Sequence, residues 1–334
     1  MPAYFDEGFM VRIPAWHGLG VVLDDYPGRE EGMELAGHNF DIEERQVYVG
    51  VPLETTDGEF DVFPHKAEAW KALVKSKPGD PSDGTVMHIA KTSYGVIPNY
   101  VGWDLVDALV GEGAKYETAG TLEEGRSCWV LAYLDEPVQI KGDNSPILPF
   151  LNVAWRHDGL GALTGRSTSV RVVCANTQSA AEAEARRLGT DYTFRHTKNV
   201  MDRIEDAKMA LQGLRAQHQE FIDMANDLAK LKITKDQRTF FLSQFVPMPP
   251  EALVSDRVMN NIEEARAAVV AILNSTTVPD AHRNTGYGLW CAGVEYLDHV
   301  RRSNNLETKF KRSIMRAEPA KAKLHRVIKE TVTL

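Results

Sequence analysis

Seven residues of this chain have the types and spacing to do chemistry together: Trp155, Arg156, His157, Arg166, Arg171, Arg195 and Lys198. Guanidinium and ammonium groups hold phosphates, and an aromatic ring among them can stack on a base. Such a set describes a surface that follows a single nucleic-acid strand. Residues 155–204 carry eight Lys and Arg against five Asp and Glu, an excess of three positive charges. The plainer reading of the same window is a solvated sheet face with ordinary ion pairs. A third reading is enzymatic, with a site built from His157, Asp158 and Cys174. Cys174 sits in Val172-Val173-Cys174-Ala175, where burial would raise its thiol pKa and leave it unreactive. Arg171 beside it supplies charge but cannot accept a proton.

No other catalytic signature stands out. None of the ten histidines is spaced two to four residues from another His or from a Cys, so no metal site is expected. The three cysteines form no Cys-x-x-Cys pair. Gly159, Gly161 and Gly165 have the wrong spacing for a dinucleotide loop, and a strand follows where a helix is required. No cofactor is expected, and the chain reads as a binding protein rather than an enzyme. Trp16-His17-Gly18-Leu19-Gly20 reads as an anchor for the N-terminal segment.

The elements that would position these residues are mostly hairpins. Phe150 to Trp155 and Val170 to Val173 are strand-like runs on either side of the turn residues His157-Asp158-Gly159. Lys115–Leu122 and Ser127–Leu134 flank Glu123-Glu124-Gly125, and Gln46–Glu54 and Glu59–Phe63 flank Thr56-Asp57-Gly58. Lys66–Lys75 reads as a helix with Trp70, Leu73 and Val74 on one side, and Lys77–Gly84 as a loop. Tyr94–Ile97 reads as a short strand and Trp103–Val110 as a helix. Ser179 and Glu182 have capping-box spacing for a helix over 180–188.

From about Lys198 the hydrophobic period changes. Val200, Ile204, Ala207, Leu211, Leu214, His218, Phe221, Ala225 and Leu228 step by four and three, a heptad seam on one long helix. Further helices are expected over 235–245, 256–275, 287–302 and 321–329. The fold class is therefore α+β. A mixed antiparallel-sheet domain with β-hairpins and flanking helices spans residues 1–197, and a helical domain spans 198–334.

Charge is distributed unevenly. The chain carries a formal −9, yet residues 1–60 alone hold thirteen Asp and Glu against three Arg. Residues 301–334 hold ten Lys and Arg against three Glu. An acidic head and a basic tail can meet within or between subunits, so a homo-oligomer is expected. No apolar run approaches the roughly 18 residues that span a bilayer, and the N-terminus does not read as a signal peptide. A bacterial cytoplasm and no membrane partner are the corresponding expectations.

Five stretches together carry a resemblance: Trp16–Gly20, Tyr116–Gly120, Val170–Thr177, Phe194–Thr197 and Thr285–His299. In that order they resemble a phage- and plasmid-borne protein family of unknown function, over nearly the whole chain. The resemblance implies a mobile-element protein in a bacterial cytoplasm and no particular activity. The order of helix, two hairpins and helix over 103–188 is also similar to the core of single-strand annealing proteins of the Redβ and Erf type. That likeness implies single-stranded DNA as partner, a positive groove and a ring-shaped oligomer. The leading functional expectation is a non-enzymatic protein that binds and anneals single-stranded DNA in phage or plasmid recombination. The alternatives are a protein-binding counter-defence or regulatory factor of a mobile element, and the enzyme built on His157, Asp158 and Cys174.

Overall fold

Alternating apolar residues on both sides of short turns make the two central hairpins of this chain. In the strand Ser127–Tyr133, Cys128, Val130 and Ala132 point to one core, and Trp129 points to the opposite face. The computed structural model describes residues 5–11, 20–54, 60–77, 80–111, 114–134, 137–171, 176–178, 192–210, 213–250, 255–302 and 319–333. Its strands are β1 (Phe5–Val11), β2 (Val21–Leu23), β3 (Asp41–Glu54), β4 (Phe60–Lys77), β5 (Asp80–Lys91), β6 (Tyr116–Leu122) and β7 (Ser127–Tyr133), followed by β8 (Ile147–Arg156), β9 (Leu163–Arg171), β10 (Asn176–Gln178) and β11 (Tyr192–Phe194). Its α-helices are α1 (Arg29–Leu35), α2 (Asn99–Val110), α3 (Val200–Ala210), α4 (Gly213–Lys230), α5 (Lys235–Phe245), α6 (Asp256–Leu273), α7 (Gly286–Glu295) and α8 (Pro319–Val332). The architecture is α+β.

The large sheet runs β10-β9-β8-β7-β6-β1-β2, and β11 pairs with β9 beyond the end of β10. All its pairs are antiparallel except β1 with β2. One face packs on α1 and α2, where Trp103, Leu105 and Val106 meet Val130, Leu151, Val153 and Trp155. On the opposite face, Met10, Leu122, Trp129 and Ala154 form a smaller cluster. A third cluster gathers α4 to α8 around the fully buried Tyr287 and Trp290 of α7. Ile140, in the segment before β8, and Ile147, the first residue of β8, belong to this helical cluster. Thr234, Ser255 and Thr285 cap α5, α6 and α7 through their hydroxyl oxygens.

Several expectations are corrected. Residues 66–75 are not a helix but part of β4, hydrogen-bonded to β3 on one side and β5 on the other. The spacing of Trp70, Leu73 and Val74 fits a helix, but Lys71, Ala72, Leu73 and Val74 are buried consecutively, as in a strand covered on both faces. Cross-strand pairing overrides local propensity here. The expected loop over 77–84 contracts, because β5 already begins at Asp80. Tyr94–Ile97 contributes only a single bridge, Tyr94 to Thr197. Of the expected long helix, α3 and α4 are helical, and residues 211–212 between them lie outside the described residues. Val200 and Ile204 of its seam are buried in the first core, and Phe221, Ala225 and Leu228 in the helical one. The seam is thus covered at both ends by its own chain. The Trp16–Leu19 anchor, Cys174 and the helix expected over 180–188 lie outside the described residues.

Candidate functional site

The hairpin singled out for chemistry forms as β8 and β9, but Trp155, His157 and Asp158 at the start of its turn are buried. Trp155 is fully buried, and its indole N–H donates to Asn99 Oδ1 at 3.0 Å. His157, also buried, has Nε2 2.8 Å from the same oxygen. The Asn99 amide donates in turn to the carbonyls of His38 (3.0 Å) and Phe40 (3.2 Å). His38 closes the network, taking the Trp103 indole N–H on Nδ1 at 2.9 Å and lying 3.0 Å from the Gly120 carbonyl through Nε2. Asn99, at the start of α2, therefore ties the α1–β3 connection to the end of β8.

Magnitudes settle what Trp155 does. Removing a ring of about 200 Å² from water stabilises by roughly 5 kcal/mol at ~25 cal/mol per Å². Stacking on one base returns about 1–3 kcal/mol. Trp155 is a core residue and has no face to offer a nucleic acid. Gly102 of α2 lies flat on its ring, where a Cβ would meet indole atoms at 2.4–2.8 Å.

His157 is excluded from titration chemistry near neutral pH by the same burial. Desolvation lowers its pKa to about 3, with a further push from the neighbouring His196 and His38. Desolvation likewise lowers His38 to about 4, opposed by the Gly120 carbonyl. Both rings are neutral structural groups.

Arg156 is committed internally. Its side chain is 11% exposed and bonds to Asp158, to Glu123 at 2.6 Å and to Ser127 Oγ at 2.5 Å. Burial alone would favour losing its charge, but Asp158 and Glu123 outweigh that and raise its pKa. Glu123 reaches it from a left-handed backbone position, φ 58°, so the β6–β7 turn holds a strained residue in place through this ion pair. Asp158 also accepts the Leu160 N–H at 3.0 Å, closing the β8–β9 turn, and His88 of β5 packs over Gly159 at φ 73°. Trp155, Arg156 and His157 thus leave the expected strand-binding surface, and His157 with Asp158 has lost the exposed base an enzyme needs.

The remaining cations lie elsewhere. Arg166 is half-buried on β9, opposite Asn152, on the face turned away from Leu163 and the first core. β11 pairs Thr193 with Thr164 on that same face, and Arg195 follows immediately, exposed. Lys198 and Arg203 are exposed where the chain enters α3. Arg171 ends β9, and its side chain is outside the described residues. Arg195, Lys198 and Arg203 place three exposed cations within nine residues, against one acid, Asp202.

The family described as "Domain of unknown function (DUF932)" matches residues 86–327, well over half of the chain. The chain belongs to the DUF932 family. The DUF932 match takes in Asn99, Trp103, the β8–β9 hairpin and the cationic segment 195–203, while His38, β3 and β4 precede it and the match begins within β5. No curated protein and no solved structure matches the chain. Among the described residues of this DUF932 protein, no group of three or more His, Cys, Asp and Glu could hold a metal ion. No described helix is long and apolar enough to cross a membrane.

Sequence reasoning missed Asn99, His38 and Glu123. Asn99 follows Pro98 and opens a helix, so it passes for an ordinary helix start. Its partners are 58 and 61 residues away, and nothing local announces them.

Proposed function

We propose that this protein acts without catalysis, holding a single nucleic-acid strand on the edge formed by β9, β11 and the start of α3. The observation that carries the reading is the run of exposed cations Arg195, Lys198 and Arg203 beside the strand bearing Arg166. Subtracting the internal Arg156–Asp158 pair leaves the local excess of positive charge unchanged, so phosphates would meet a basic edge. Both aromatic rings of β11 are turned to the first core, Phe194 buried in it and Tyr192 packed against it. Such an edge would grip the backbone and leave base edges free to pair, which is what annealing requires. The leading expectation therefore moves from the hairpin turn to the opposite edge of β9, with Arg166, Arg195 and Lys198 retained and single-stranded DNA as the partner.

The test is a gel shift with a strand of about fifty nucleotides at about 50 and 200 mM salt. Arg195→Ala with Lys198→Ala should lower the slope of log affinity against log salt by about 1.4, at roughly 0.7 per phosphate contact on a single strand. Absence of a shift at the lower salt rules out strand binding. An unchanged slope in a folded double variant removes this edge from it.

A protein-binding role is favoured by a separate observation, the exposed apolar side chains of Tyr48, Val49 and Phe63 on β3 and β4.

A further inference from the structure

The β8–β9 turn holds an apolar side chain out in water. Leu160 is 75% exposed, more than any other large apolar residue among those described. Turn tips ordinarily carry polar or small residues, and a leucine left in water gains nothing from burial. Its neighbours Gly159 and Gly161 have no side chains to shield it. Both glycines are fixed by what lies on them. Gly159, at φ 73°, sits under the His88 ring, and the Arg156 stem fills the space a Cβ on Gly161 would need. Asp158 accepts the Leu160 N–H at 3.0 Å and is itself held by Arg156 Nε at 2.9 Å. The turn is braced before any ligand arrives, which lowers the entropic cost of a contact at Leu160.

The tip stands beside the basic edge. β11 runs antiparallel to β9 with Phe194 opposite Leu163, so Arg195 and His196 continue toward the turn. A ladder of rings joins the two places. His88, against Gly159, lies 5.9 Å from Tyr94, and Tyr94 stacks on His196 at 4.6 Å and 8°. His196 Nδ1 lies 2.9 Å from the Gly95 carbonyl, and Tyr94 bridges to Thr197, so Arg195 and Lys198 flank a fixed ring. Phosphates gripped by Arg195, Lys198 and Arg203 would carry the bases of the same strand past Leu160. Charge complementarity selects the polymer, and the apolar tip selects a part of it, the flat face of a base. Leucine is among the side chains that wedge between bases. We infer that Leu160 packs on the face of an unstacked base in the strand held by Arg195 and Lys198. In a duplex both faces of a base are covered by its neighbours, so the contact selects single strands. A base held by its face keeps its pairing edge free. This inference rests on the strand-binding reading and names the part of the strand that is recognised.

Fluorescence anisotropy of the full chain tests it with two labelled DNA strands of equal length, one with bases and one made of abasic units. Wild type should bind the abasic strand about tenfold more weakly, the worth of one half-buried leucine contact. Leu160→Ser should lose about the same tenfold on the base-bearing strand and no longer distinguish the two. Its salt slope should stay at the wild-type value, because no phosphate contact is touched. Leu160→Met should bind as wild type does, one wedge replacing another. Leu160 is exposed, and circular dichroism checks that both variants fold. Leu160→Ser binding as tightly as wild type overturns the inference and assigns the tip to another partner, leaving the phosphate grip intact. Equal wild-type affinity for the two strands overturns it in the same way. A wild type that binds neither strand overturns the strand-binding reading as well.

Discussion

The carboxamide oxygen of Asn99 lies 2.8 Å from Nε2 of His157, joining the first turn of α2 to the end of β8 across 58 residues of sequence. The same oxygen takes the Trp155 indole N–H, and the Asn99 amide satisfies two backbone carbonyls. One side chain thus completes four buried hydrogen bonds, and a residue of similar size that cannot make them leaves each partner desolvated.

Asn99→Leu should therefore cost at least about 3 kcal/mol, since each buried polar group left unpaired costs ~1–3 kcal/mol. Urea unfolding followed by tryptophan fluorescence measures it. A loss below about 1 kcal/mol would show that water replaces the amide and that the network is not what fixes the hairpin.

Acid should weaken the fold before most carboxylates titrate. His38 and His157 have folded pKa values near 4 and 3, below the unfolded value of about 6.5. The unfolded chain thus binds protons that the folded chain refuses, and stability falls as pH drops from about 6.5 toward those folded values. From pH 7 to 5 the two rings together should remove on the order of 4 kcal/mol. Urea midpoints at the two pH values read this directly, and His157→Gln should reduce the difference by about half. A flat profile would mean that the rings are reached by water.

Asp298 and Lys321 form a pair with both side chains 2% exposed, 2.9 Å apart, beside the π-helical turn Tyr296–Val300. Removing one partner strands a buried charge, so Lys321→Met alone should cost about 3–5 kcal/mol. Lys321→Met with Asp298→Leu should recover most of the loss, because two apolar side chains need no counter-charge. Equal losses in the single and double variants would show that packing, not charge, holds this position.

Gly102→Ala should destabilise by about 1–3 kcal/mol, the usual cost of overpacking a core. Its added methyl meets the Trp155 ring, itself held by Asn99. A shift in tryptophan emission should accompany the loss. A variant as stable as wild type would show that the indole can move aside.

What was legible in the sequence tracks where the deciding interactions are local. The β6–β7 and β8–β9 hairpins could be read because turn residues stand between alternating runs, and α5, α6 and α7 because helical patterns recur there between proline-containing breaks. Of β4, only the first residues, within the expected strand Glu59–Phe63, could be read in the same way. Half of it is covered on both faces and half on neither, so neither part shows the two-residue alternation of a half-buried strand. The candidate site fared least well at Trp155, Arg156 and His157, because an Arg and a Trp beside a turn look identical in sequence whether they face solvent or core. Glu123 and Asn99, both distant in the chain, decide it. Arg195 and Lys198 stay exposed, and no distant side chain pairs with them among the described residues.

Strand β1 is an interior strand of the large sheet, with β6 on one side and β2 on the other. It comes from the first residues described, more than seventy positions before the DUF932 match begins. A fragment trimmed to residues 86–327 would turn β6 into an open edge, uncover Ala119 where Phe9 pairs with it, and take His38 from the Trp103 indole. The matched stretch and the stretch that builds the large sheet are therefore different lengths of chain, and an isolated matched region should aggregate through β6.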